Sequence, residues 1–173
     1  KFIKSIVKNI LKKNLIKFSG ENIDISKKFS TASYFDLIKR HALIIDIDKI
    51  SKDDIAIKAK QFGIKVEDYE NKEKIIDNIF KKIIRPKLIQ PTFVTDYPLN
   101  YLPLAKKKED NEEIVDSFQL YIGGLELVKA FSELNDPIDQ QERFKQQDKK
   151  REAGDKDAQP SDRDFVEAME YGM

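Results

Sequence analysis

Cysteine and tryptophan are absent from the 173 residues, and histidine occurs once. Without a thiol, disulfides, thiolate nucleophiles and thiolate metal sites are all excluded. The single imidazole, His41, makes most histidine metal centres impossible, and the chain holds no Ser/His/Asp or Cys/His set. His41 closes a basic cluster, Lys39-Arg40-His41, with no acid or second ligand nearby in sequence, so it is assigned no role. Glycine is scarce, and Gly123-Gly124 alone does not make a phosphate-cradling loop. No apolar run approaches the ~18 residues that span a bilayer. A formal net charge of +1 gives no overall pull toward nucleic acid or membrane.

What is present is a chain long enough for one compact domain, with 40% hydrophobic and 36% charged residues, the balance of a soluble globular protein. Residues 2–13 carry Phe2, Ile3, Ile6, Val7, Ile10 and Leu11 on one helical stripe opposite lysines, which predicts a helix docked on a sheet. Leu15–Phe18 and Asn22–Ile25 read as a hairpin turning through Ser19-Gly20-Glu21, and Tyr34–His41 as a helix. Ser51 with Asp54 marks a helix start, running to Phe62 and stopping at Gly63. Ile75, Ile76, Ile79, Phe80 and Ile83 predict a second helix from about Asn71 to Ile84, ended by Pro86. A short strand follows within Gln90–Pro98, then a charged, solvated crossing from Lys106 to Glu113. Asp136 and Pro137 open a helix to about Glu152, and Ser161 with Asp164 starts a last one.

The stretch from Asp116 to Arg143 carries the chemistry. Phe118, Leu120 and Ile122 alternate with Gln119 and Tyr121 up to Gly123-Gly124, and a second extended run bears Glu126, Lys129, Phe131 and Glu133. A carboxylate on a covered strand face costs several kcal/mol unless it meets a cation or good donors. Either these strands are half-exposed or the carboxylates hold something positive. Hard oxygen ligands suit Mg²⁺, which takes one or two carboxylates plus nucleotide phosphates. From the residues alone, a Mg²⁺–nucleotide site and exposed carboxylates on a sheet rim both stand.

The run F-x-L-Y-I-G-G-x-E-L-x-x-A-F-S-E-L-N-D-P-I-D-Q-x-E-R-F, from Phe118 to Phe144, resembles the catalytic core of class II lysyl-tRNA synthetases. So do Gln90-Pro91-Thr92-Phe93, Pro103-Leu104-Ala105-Lys106-Lys107, Arg151-Glu152-Ala153-Gly154-Asp155 and the run from Asp164 to Met173. The resemblance implies an α+β fold with an antiparallel class II sheet, flanking helices and a helical insertion. It implies core at 1–32, the insertion module at 33–88 and core again at 89–173. It also implies lysine, ATP and tRNA(Lys) as substrates, Mg²⁺ as cofactor, a homodimer and a cytoplasmic location. On the matching positions Glu126 is a metal-binding carboxylate, Glu133 meets the ammonium of lysine and Phe131 lines the same pocket. No residue is assigned a catalytic role. Lys129, Phe131 and Glu133 are spaced to share a strand face, whereas Glu126 needs a bulge or bend to join them.

Three positions depart from the family pattern. Gln119 stands where the family has a second metal-binding glutamate, offering a carbonyl oxygen without charge. Lys129 stands where the lysine pocket has an asparagine, bringing a second ammonium beside Glu133. Leu102 replaces a serine before Pro103. Without an initiator methionine, the arginine-bearing ATP motif before Lys1, the Gly-rich arginine segment after Met173 or an OB domain, the chain reads as an internal piece, truncated at both ends and inactive alone. Two alternatives stand beside the ligase: a lysyltransferase acting on elongation factor P, and a degenerate paralogue that binds without catalysis.

Overall fold

A computed structural model describes residues 1–47 and 49–172; Met173, the last residue of the downstream motif, lies outside them. The fold is α+β, and the backbone divides into two compact units. The first comprises Lys1–Ile50, Asp77–Asp96 and Phe118–Ala130; the second comprises Ser51–Ile76, Tyr97–Ser117 and Phe131–Met173. The helical stretch 33–88 is thus divided, with 51–76 in the second unit and its flanks in the first. Among the described residues, no helix is long and apolar enough to cross a membrane.

In the first unit, α1 (Phe2–Leu11) leads into β1 (Leu15–Phe18) and β2 (Glu21–Asp24). The hairpin closes one residue earlier than its sequence predicts. Ser19 and Gly20 both take positive φ, 48° and 85°, so a two-residue turn suffices and Phe18 pairs directly with Glu21. Ile3 and Val7 of α1 dock on a core of Ile23, Ile25, Leu120 and Ile122. The rest of the stripe does not: Phe2 is 77% and Ile10 71% exposed. The helix ends at Lys12, which sits in the left-handed region at φ 50°.

The main sheet has the order β3-β4-β5-β6, from β3 (Ser30–Ser33), β4 (Thr92–Thr95), β5 (Ser117–Ile122) and β6 (Leu125–Phe131). It is mixed: β3 pairs parallel with β4, and β4 pairs antiparallel with β5. A parallel pair needs a long crossover, and the helical stretch after β3 supplies it. That stretch begins with α2 (Tyr34–Ala42). The predicted helix to Ile84 is instead α4 (Lys72–Ile79) continued by a π-helical turn over Phe80–Ile84. Pro86 cannot donate and its ring crowds the carbonyl four residues back, so the last turn widens and the N–H of Arg85 bonds the Phe80 carbonyl. Phe80 stacks on Tyr34 at 4.8 Å between centroids and meets Tyr121 edge-on at 5.9 Å.

The second unit contains α3 (Lys52–Gln61), capped as its sequence predicts: Ser51 accepts from the Asp54 amide at 3.1 Å and donates to its carboxylate at 2.6 Å. Helix α5 (Pro137–Glu152) is capped by Asp136, which accepts from the amides of Ile138 and Asp139. The cap of α6 (Arg163–Glu170) is Asp162 rather than Ser161. Asp148 takes both the hydroxyl and the amide of Ser161, which leaves the capping place to the next residue. Phe144 and Phe165 meet edge-on at 6.1 Å where α5 packs on α6. The charged crossing is shorter than its sequence predicts, because Lys107 bridges Val115 and the Lys108 amide bonds the Ile114 carbonyl.

Candidate substrate and metal site

The turn between β5 and β6 can be made by two glycines and by little else. Gly123 and Gly124 hold φ of 63° and 76°, and their amides bond the carbonyls of Ile89 and Leu88 at 2.9 and 3.0 Å. A Cβ on Gly124 would stand 3.3 Å from the Pro86 backbone, and one on Gly123 would stand 2.9 Å from the Phe18 ring. This tight reversal brings the side chains of β5 back beside the start of β6. The Tyr121 hydroxyl, on a side chain only 2% exposed, donates to the carbonyl oxygen of Gln119 and lies 3.4 Å from a carboxylate oxygen of Glu126. One phenolic proton serves one acceptor well, and the distances assign it to Gln119.

Two oxygen donors of different character therefore meet at Tyr121. The Gln119 oxygen belongs to a side chain 7% exposed, while Glu126 is exposed to solvent. Among the described residues no three acidic or histidine side chains gather to hold a metal by themselves. One carboxylate and one amide oxygen fit a Mg²⁺ ion that arrives already ligated by phosphates, and do not fit a resident ion.

The other sequence-assigned residues follow along β6. No residue of this strand is buried. Lys129 is exposed and Phe131 half-buried, and Glu133 lies two residues beyond the strand's end, also exposed. Glu126 thus sits on a half-exposed strand, and Glu133, beyond the strand's end, is exposed as well. The first unit brings Gln119 and Glu126 together with Lys129 further along β6; Phe131 and Glu133 belong to the second unit.

In the second unit, the backbone around Glu133 is tied on both sides. Glu133 bridges Ala105, the Lys106 amide bonds the Ser132 carbonyl at 2.7 Å, and the Leu134 amide bonds the Leu104 carbonyl at 2.9 Å. Ser132 is further tied to Asp116 through its amide (2.9 Å) and its hydroxyl (2.6 Å). Beneath this ladder lies a charge network that sequence reading passed over. Arg143, 5% exposed, donates from Nε and Nη2 to the two oxygens of Asp139 at 2.9 Å each, and Lys107 lies 3.2 Å from the same carboxylate. The hydrogen bond from Arg143 is the main cause that holds the Asp139 carboxyl below the ordinary carboxylate range, with Lys107 helping against the opposing effect of burial. The i, i+4 spacing of Asp139 and Arg143 on a helix is a signal that could have found this pair. Gln140, fully buried, donates to the Pro103 carbonyl at 3.3 Å.

His41 is partly buried, and its pKa is lowered by that burial and then by Lys87 and Arg40. A recess of about 330 Å³ in the second unit, lined by Leu104, Phe144, Phe165 and residues 159–164, contains none of the sequence-assigned residues.

Across residues 1–173 the chain matches the family model described as tRNA synthetases class II (D, K and N). It is similar to the lysine–tRNA ligase of Pelotomaculum thermopropionicum, at 40% identity over 161 residues, covering 91% of this chain and 32% of that protein. It is similar also to that of Moorella thermoacetica, at 37% over 169 residues, covering 97% and 34%. With that of Prochlorococcus marinus it shares 41% over 175 residues, covering 99% and 34%. The chain spans about a third of the length of these curated relatives.

Proposed function

The chain belongs to the class II tRNA synthetases of the D, K and N group, and from that premise we propose that it forms part of the catalytic domain of a lysine–tRNA ligase. In that reaction a carboxylate oxygen of lysine attacks the α-phosphorus of ATP, the bond to the β-phosphate breaks and pyrophosphate leaves. A hydroxyl of the tRNA then takes the lysyl group from the adenylate and AMP departs. Such displacements depend on positioning and on charge placed where it develops.

The observation that carries this reading is Glu133, an exposed carboxylate projecting from a backbone tied on both sides. An anion fixed in this way recognises an ammonium and leaves an uncharged side chain unrewarded. Phe131, two residues before it, offers an apolar wall for the methylene stem of lysine. Lys129 places a cation in the same stretch and weakens the attraction for a second one. Glu126 and Gln119 are the residues that would hold Mg²⁺, which when bound with the nucleotide neutralises phosphate charge. The whole protein would work as a cytoplasmic homodimer on tRNA(Lys), with 33–88 as its helical insertion.

The test is lysine-dependent ATP–pyrophosphate exchange by the full-length protein, with and without Glu133→Gln. Exchange that requires lysine and is weakened by Glu133→Gln supports the ligase; exchange driven by another amino acid sinks it. A second reading, a paralogue that binds lysine without activating it, draws support from Gln119, whose carbonyl is already engaged by Tyr121, and from Lys129. Lysine binding by calorimetry without any exchange would favour that second reading.

A further inference from the structure

A guanidinium taken out of water costs several kcal/mol unless its donors are met, and a buried ion pair can often be replaced by apolar groups at no loss of stability. The burial of Arg143 on α5 therefore calls for something an aliphatic side chain could not do. Two of its nitrogens are taken by Asp139, and the remaining one, Nη1, donates to the Ala105 carbonyl at 2.6 Å and reaches the Pro103 carbonyl at 3.5 Å. Ala105 is the residue that bridges Glu133, and its neighbours Leu104 and Lys106 hold Leu134 and Ser132. The grip of Arg143 on 103–105 is thus one hydrogen-bonded step from the backbone on either side of Glu133. The Glu133 side chain is exposed, so its place depends on that backbone and not on side-chain packing.

We propose that Arg143 is a positioning residue for lysine recognition, fixing the 103–105 segment against which Glu133 is held. The proposal rests on the reading of Glu133 as the partner of the substrate ammonium. Asp139 orients the guanidinium, and Lys107 meets the same carboxylate at the oxygen that Arg143 Nη2 bonds. A planar fork is required, because three donors must point in fixed directions at once. A lysine at the same place keeps the charge but not the geometry.

The experiment uses the full-length protein carrying Arg143→Lys, Glu133→Gln and both together. It reads the lysine and ATP Michaelis constants in pyrophosphate exchange, with thermal melting alongside. Arg143→Lys is expected to raise the lysine KM about tenfold, the scale of a small misplacement of a binding group. The ATP KM should stay within about twofold, and the lysine effect should vanish in the Glu133→Gln background, since residues acting through one hydrogen-bonded network do not add. An equal rise of the lysine KM in both backgrounds, a parallel rise of the ATP KM, or no rise at all overturns the proposal. Glu133→Gln leaving the lysine KM unchanged overturns the underlying reading instead, and so separates the two failures. Should Arg143→Lys fail to fold, Asp139→Asn carries the same test: a selective rise in the lysine KM supports the proposal, and none overturns it.

Discussion

Glu126 and Glu133 lie seven residues apart, both exposed, and the molecule holds them by different means. Glu126 stands near the start of β6 beside a tyrosine hydroxyl that donates to Gln119, at a distance of 3.4 Å that marks a loose contact. Glu133 projects from a backbone bonded on both flanks and backed by the pair of buried Arg143 with half-buried Asp139. A loosely placed carboxylate can shift to meet an ion whose ligand shell varies through a reaction. A carboxylate that must tell one cation from other side chains gains from a backbone held in place.

The contrast can be broken most sharply at its rigid end. Glu133→Gln is expected to raise the lysine KM about a hundredfold, as loss of an essential charged partner does; steady-state exchange kinetics on the full-length protein measure it. At the looser end, Gln119→Glu adds the charge that the amide lacks. It should lower the Mg²⁺ concentration needed for half-maximal exchange about fivefold, and no change would mean that Gln119 does not face the ion. Lys129→Asn removes a like charge and should lower the lysine KM about threefold, the size of a partly screened pair. The smallest effect is on stability. Asp139 has its folded pKa depressed, so the stability it contributes is complete above the unfolded value of about 3.9 and is lost as pH falls through the folded one. Melting curves from pH 5 downward should therefore fall less steeply in Asp139→Asn, and an unchanged slope would remove Asp139 from the acid response.

Elements specified by local chemistry could be read from the residues. Ser51 and Asp136 bond amides two or three positions ahead, and α5 begins at Pro137 and ends at Glu152 as its sequence predicts. Strand β3 could not be read, since Ser-Thr-Ala-Ser has no apolar alternation and gains its conformation from pairing with β4. The cap of α6 lies one residue beyond the Ser161 that the sequence predicts, because Asp148, 13 positions earlier, competes for Ser161. At the site, motif spacing singles out Glu126 and Glu133 as candidates. Tyr121 as the shared neighbour of Gln119 and Glu126 cannot be read from the residues, because a tight turn has to fold β5 back first. The clamp of Arg143 on Ala105 joins residues 38 apart, beyond any local pattern.

The turn at Gly123 and Gly124 has a consequence for how this sequence can drift. Both positions hold backbone angles natural to amino acids of the opposite hand. Every single-base change in a glycine codon that alters the residue yields an L amino acid or a stop. Each such neighbour would have to hold a left-handed conformation, beside the Pro86 backbone at one position and the Phe18 ring at the other. The two codons are therefore isolated in mutational space: drift can rewrite the strands on either side, but it has no downhill step away from the pair that joins them.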